Sequence, residues 1–92
     1  MENGIYEGEI KKDVKEGFGI YTFNNGDVYE GYWKDDKKHG EGVYYFEHGG
    51  FFSGVWMCSR KHGKGKLCTH DGVMYEETWN NDKMVSKRLC NN

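Results

Sequence analysis

Tyr6, Tyr29, Phe52 and Tyr75 stand 23 residues apart, and most of the chain follows the same grid. Gly8, Gly31 and Gly54 keep this spacing, as do Gly17, Gly40 and Gly63. Gly19, Gly42 and Gly65 form a third row, and Gly26, Gly49 and Gly72 a fourth. Trp33, Trp56 and Trp79 lie on the grid too, with Ile10 in their first slot. A self-similar period of about 20 to 50 residues marks a repeat array, in which no unit buries its apolar face alone. The chain is therefore expected to form a single repeat domain over residues 1–92, with units at 6–28, 29–51 and 52–74 and a partial copy at 75–92.

Within the second unit, YEGYW alternates and predicts a strand, KDDKKH a polar loop, GEGVYYF a second strand and EHGG a turn. The first unit carries NNGD at that turn. Asn-Gly is the strongest short hairpin signal and predicts a tight turn with positive φ at both central positions. Glycines two apart in GFG, GEG and GKG would each cost about 1 kcal/mol in a helix, which excludes helices from the first three units. The fourth unit keeps YEETW, with Glu77 in a glycine slot and Ser86 and Arg88 where the paired glycines belong. It reads as a terminal cap or as the cut end of a longer array. The tail from Asn80 is expected to be a short helix or strand.

Strand side chains alternate between faces. In-register hairpins then place Tyr6, Tyr21, Phe23, Tyr29, Trp33, Tyr44, Phe46, Phe52, Trp56, Tyr75 and Trp79 on one face. The other face carries Glu7, Glu9, Glu30, Lys34, Glu41, Lys64 and Lys66, with Tyr32 and Tyr45 as exceptions. Glycine in a strand normally weakens it. Here Gly40 and Gly42 are expected to leave room for rings and to permit coiling. The fold class is all-β: an elongated, twisted, single-layer antiparallel sheet of tandem hairpins with an aromatic groove. Ninety-two residues with 36% apolar and 16% aromatic content support this, since rings replace an aliphatic core.

YEGYWKDDKKHGEGVYYFEHGG resembles a MORN repeat (membrane occupation and recognition nexus). The family pattern is a Tyr-x-Gly-x-Trp strand, a polar loop ending in His-Gly-x-Gly, and an aromatic strand closed by a turn glycine. Units two and three match it. Unit one has Ile10 and Glu16 in place of Trp and His, and unit four matches only as YEETW. The resemblance spans Tyr6 to Trp79 and implies successive hairpins in one sheet. Members occur in cytoskeletal and ciliary scaffolds and membrane-junction proteins, and beside lipid kinases and a lysine methyltransferase. The resemblance implies non-catalytic repeats that dock protein segments or self-associate, with phospholipid binding as an older proposal.

The expected function is a protein-interaction scaffold, not an enzyme, with no cofactor. Its partner-binding groove is expected at Tyr21, Tyr29, Trp33, Tyr44, Phe46, Phe52 and Trp56, where exposed aromatic patches mark binding sites. Tyr21, Tyr29, Tyr44, Phe46 and Phe52 are taken as the accessible part, with Trp33, Trp56 and Trp79 as the packing spine. A homodimer through the end strands is a variant of this reading. One rival is a peripheral module that binds anionic phospholipid through Arg60, Lys61, Lys64 and Lys66, since the third unit alone is net basic. Another is an accessory array for a separate enzyme.

Other chemistry is weaker. His39 and His62 share a slot with Glu16 and Val85, so the position is structural. Cys58, His62, Cys68 and His70 are zinc-ligand types, but the repeat already explains His62, and no metal is expected. Gly63-Lys64-Gly65-Lys66 lacks the spacing and helix of a phosphate loop. Net charge is −2 and no reading module is present, which argues against nucleic acid. Three cysteines at irregular spacing predict no disulfide framework and fit a reducing cytoplasmic setting, with possible cytoskeletal or membrane association. MENGIYEG enters the first unit at once and reads as a lead-in rather than a targeting segment, and no transmembrane run is found.

Overall fold

The computed structural model describes residues 4–90, so the expected lead-in at 1–3 and the last two residues of the tail lie outside the described residues. Among the described residues nine strands form one open antiparallel sheet: β1 (Gly4–Lys11), β2 (Val14–Phe23), β3 (Val28–Lys34), β4 (Lys37–Tyr45), β5 (Phe51–Met57), β6 (Arg60–Lys61), β7 (Gly63–Cys68), β8 (Met74–Asn80) and β9 (Lys83–Leu89). Neighbours in sequence are neighbours in the sheet, except that the short β6 pairs β5 beside β7. The molecule measures 44 × 25 × 22 Å. Its thickness well exceeds the ~10 Å that separates packed sheets, so the single layer coils strongly.

The two connections of each unit exchange the roles expected of them. The tight two-residue turns are Lys12-Asp13, Asp35-Asp36, Cys58-Ser59 and Asn81-Asp82, each with positive φ at both residues. KDDKKH is therefore mostly strand, not loop. The NNGD segment is the longer connection, in which Gly26 alone is left-handed, with its N–H on Phe23 O at 3.0 Å. The same pair of bonds closes this connection in the next two units, Phe46 N–H to Gly50 O with Gly49 N–H to Phe46 O, and Thr69 N–H to Val73 O with Gly72 N–H to Thr69 O, so it follows the register shared by the repeats. In unit one the Asp27 carboxylate also accepts the Glu47 N–H at 2.8 Å and the Tyr44 hydroxyl at 2.9 Å, which ties the connection to the following repeat.

The glycine rows also divide in two. Gly31 pairs with Gly42 and Gly42 with Gly54, so facing strands meet at bare backbone. Gly40 does something else. Trp33 pairs with Lys38, which leaves Tyr32 alone opposite His39, Gly40 and Glu41. Gly40 has φ +97 and makes this bulge possible, while a Cβ there would meet only Tyr32 Cβ, at 3.5 Å. Gly40 thus shapes the backbone and Gly42 makes room for a ring, which corrects the expectation that both do the latter.

The fourth unit departs from the grid because it lacks this bulge glycine. Tyr75 pairs with Leu89 and Glu77 with Lys87, whereas the grid would match them with Cys90 and Arg88. Ser86 stands in the slot of Gly40 and Gly63 without positive φ, and only Val85 is left over opposite the Thr78–Trp79 step. The strand slips by one residue. A one-residue slip reverses the faces. Lys87 moves onto the aromatic side, 4.4 Å from the Tyr75 ring centre, and Arg88 turns to the other side and binds Glu76 at 2.6 Å. The tail is a strand, not a helix.

Candidate interaction face

Eleven aromatic side chains were expected on one face, and six of them form one continuous ladder. Tyr6 meets Trp33 at 5.5 Å between ring centres, Trp33 meets Tyr29 at 5.3 Å, and Tyr29 meets Trp56 at 5.1 Å. Trp56 then meets Phe52 at 5.5 Å, and Phe52 meets Trp79 at 6.4 Å. All five contacts are edge-to-face, the geometry that ring quadrupoles favour. Tyr29 and Phe52 therefore each pack on their own tryptophan and on the tryptophan of the next unit, while Tyr6, with Ile10 in its tryptophan slot, packs on Trp33 alone. The Trp33 indole also donates to Gly19 O at 3.3 Å, which ties unit two to unit one.

This ladder is the core. Tyr29 is 0% and Phe52 1% exposed, and Trp33 and Trp56 are buried. Tyr29 and Phe52 are therefore corrected from accessible groove to interior, and Trp33 and Trp56 cannot contact a partner without repacking. The physical reason is the coiling of the sheet, which closes the rings on one another. Tyr21, Tyr44 and Phe46 remain half-buried and reach the surface beside the core. Tyr44 and Phe46 lie 5.4 Å apart between ring centres. Burial and the hydrogen bond to Asp27 push the Tyr44 hydroxyl up to about 12.

A row of lysines caps the rings, and sequence reasoning missed it. Lys15, Lys38 and Lys61 lie 23 residues apart. The Lys15 ammonium sits over Tyr6, Tyr21 and Trp33 at 5.4–5.6 Å. Lys38 sits over Tyr29, Phe23 and Tyr44 at 5.6, 5.8 and 6.0 Å. Lys61 sits over Trp79 and Phe52 at 4.4 and 4.5 Å. Cation–π attraction offsets part of the cost of removing each ammonium from water. Burial still lowers the affinity of Lys38 and Lys61 for the proton, with Asp82 opposing the shift in both. The 23-residue recurrence of lysine was the signal available in the sequence. Its strand register was hidden by the loop expected there.

The turns clamp each lysine from the following unit. Asp36 Oδ1 accepts the Lys15 N–H at 2.7 Å, and the Asp36 N–H returns a bond to Lys15 O at 3.1 Å. Asp82 repeats both bonds on Lys61, at 2.8 and 2.9 Å. Ser59 does so on Lys38, through its hydroxyl at 3.1 Å and its N–H at 2.8 Å. Asp tolerates the left-handed conformation these turns need, and its short carboxylate reaches the neighbouring backbone.

The four basic residues of the third unit do not converge. Lys61 lies on the aromatic face, with Arg60 beside it in β6. Lys64 and Lys66 are exposed on the opposite face, where they line an open groove of about 660 Å³ with Glu30, Glu41 and Glu76. Strand alternation separates them. The Glu76 carboxyl is held below its usual range by Arg88, with help from Lys64 and Lys66. The same face carries the Phe18–Tyr32 pair at 5.5 Å, so Phe18 joins Tyr32 as an aromatic exception there.

His39 accepts a hydrogen bond from the Cys58 N–H through Nδ1 at 3.5 Å, an inter-unit contact. The buried Nδ1 of His62 has no partner among the described residues. Cys58, Cys68 and Cys90 are free thiols. Among the described residues no group of three or more His, Cys, Asp and Glu side chains is placed to hold a metal ion. The family model for the MORN repeat matches residues 6–28, 29–51 and 52–74. No curated protein matches the chain.

Proposed function

The chain belongs to the MORN repeat family, and from that premise we propose that it is a non-catalytic scaffold holding a protein segment on its aromatic face. The repeats of this family are generally an interaction or membrane-binding module rather than an enzyme. One observation carries the reading. The inner rings satisfy each other in the ladder, whereas Tyr44 and Phe46 stay half-exposed beside Lys38 and Lys61 around a cavity of about 280 Å³. Rings held rigid by packing lose little entropy on binding, and such residues dominate binding hot spots. A segment lying across this face gains apolar contact from the two rings and charged contact from the two ammonium groups.

The test is capture of a native-cell partner by the whole chain, compared with Phe46→Ala. Phe46 contacts Tyr44 and His48 at the margin of the ladder, so the variant keeps its fold. Partner capture is expected to weaken while the thermal transition stays within a few degrees. Undiminished capture by a folded Phe46→Ala chain would overturn the reading.

A further inference from the structure

The clamp on each lysine is carboxylate-based in two units and not in the third. The Asp36 carboxylate lies 3.7 Å from the Lys15 ammonium. Asp82 holds the Lys61 backbone in the same way and attracts its ammonium. At Lys38 the grid places Ser59, whose hydroxyl accepts the Lys38 N–H but brings no charge. Among the described residues Lys38 forms no ion pair. Its electrostatic neighbours are Asp82, which attracts, and Lys61, which repels, whereas Lys61 is attracted by Glu77 as well as by Asp82. Asp27, at another part of the cavity wall, is already engaged by the Tyr44 hydroxyl and the Glu47 N–H.

We propose that the cavity beside Lys38 and Ser59 is a receptor for one carboxylate, carried on an acidic side chain of a protein segment docked on the aromatic face. The proposal rests on the scaffold reading above and names the chemistry of its ligand. The array itself shows what the position takes. Where the turn residue is Asp, a carboxylate faces the lysine. Where it is Ser, Lys38 and Ser59 line one cavity and no carboxylate is paired with the ammonium among the described residues. A protein carboxylate is favoured over a phosphate because Asp27 and Asp82 line the cavity and repel a second negative charge.

The experiment titrates the isotopically labelled whole chain with N-acetyl-glutamate N-methylamide and follows amide and indole resonances. Saturable shifts are expected at Lys38, Ser59 and the Trp56 indole. Ser59→Asp supplies the carboxylate from within, preserves the clamp, and is expected to weaken binding about tenfold or more. Lys38→Gln is expected to weaken it similarly. The proposal is overturned if the wild-type chain shows no saturable shift, or if Ser59→Asp binds the probe equally well. Tighter binding of N-acetyl-phosphoserine, or sedimentation with phosphatidylserine vesicles that Ser59→Asp abolishes, overturns it in favour of a phosphate ligand. Failure here is separable from failure of the scaffold reading, because the probe reports on Lys38 without a partner and Phe46→Ala reports on the partner without the probe.

Discussion

The ring of Tyr29 occupies the space that a side chain on Gly42 would need. A Cβ built on Gly42 overlaps the Tyr29 hydroxyl, and one on Gly31 falls 2.6 Å from the same atom. The Tyr29 hydroxyl in turn reaches Tyr32 O at 3.2 Å. The tyrosine lies flat along its own sheet over two strands of bare backbone, and Tyr6 and Phe52 do the same over Gly19 and Gly65.

Gly42→Ala and Gly40→Ala therefore differ in kind. Alanine at 42 must displace a fully buried ring, and overpacking of this sort costs about 1–3 kcal/mol. Alanine at 40 meets only the Tyr32 Cβ at ordinary contact distance and bears the left-handed backbone cost of about 1–2 kcal/mol. Urea unfolding is expected to show the larger loss for Gly42→Ala. A double variant Gly42→Ala/Tyr29→Leu should recover part of its loss, and no such recovery should appear with Gly40→Ala.

Truncating the ladder separates core from surface. Tyr29→Ala removes a buried ring that touches Trp33 and Trp56, and large-to-small changes of this type cost about 3–5 kcal/mol. In a domain of this size that is most of the stability, so loss of cooperative melting is expected. Phe46→Ala is expected to cost far less. Circular dichroism melts of the two variants check the difference, and equal melting points would contradict the burial assignment.

Alkaline pH attacks the same rings. Burial raises the Tyr29 hydroxyl well above its usual value of 10, and the Tyr44 hydroxyl to about 12. In the folded state both phenols hold their protons longer than in the unfolded chain. Their contribution is thus fully present below pH 10 and is lost as pH rises through the folded values. Lys38 and Lys61 act in the opposite sense, since their lowered folded values favour the native state as they lose protons. The phenols are expected to prevail, being more strongly shifted. Tyrosinate absorbance should therefore rise in two phases, the second coinciding with unfolding.

Glu77 stands in the fourth unit where the other three have a glycine. It is buried, accepts the Trp79 indole N–H at 2.9 Å and lies 3.9 Å from the Lys87 ammonium. Glu77→Ala removes the acceptor of the Trp79 indole and the partner of the exposed Lys87 ammonium, and is expected to cost about 1.5–3 kcal/mol. Glu77→Ala/Lys87→Met should be less destabilised than the sum of the single changes. Chemical denaturation of the four chains completes the cycle, and strict additivity would show that the contact contributes nothing.

How much was legible varied by element. Periodicity placed Tyr29, Trp33, Phe52 and Trp56 on one face, and the contacts agree. It did not tell interior from groove, because alternation assigns a side and not the curvature that covers it. The turns were misjudged at Asn25-Gly26 for a related reason. Asn-Gly chemistry is local, but the same closing bonds form at Phe46–Gly50 and Thr69–Val73, which lack Asn-Gly, as at Phe23–Asp27, so the connection follows the register shared by the repeats. The third-unit cations looked like one patch in the linear sequence. Strand alternation puts Lys64 and Lys66 on one face and Lys61 on the other.

The sequence by itself determined that this protein is a repeat array of hairpins with an aromatic side, because a 23-residue recurrence of Tyr, Gly and Trp has no other economical folded solution. The tertiary structure decided which rings are buried, which lysines face them and where the array falls out of register. Those outcomes depend on coiling, on the left-handed bulge at Gly40 and on its absence at Ser86. The grid marks Gly40 and Ser86 as different, but the bulge, its loss and the coiling become visible only when the strands pair.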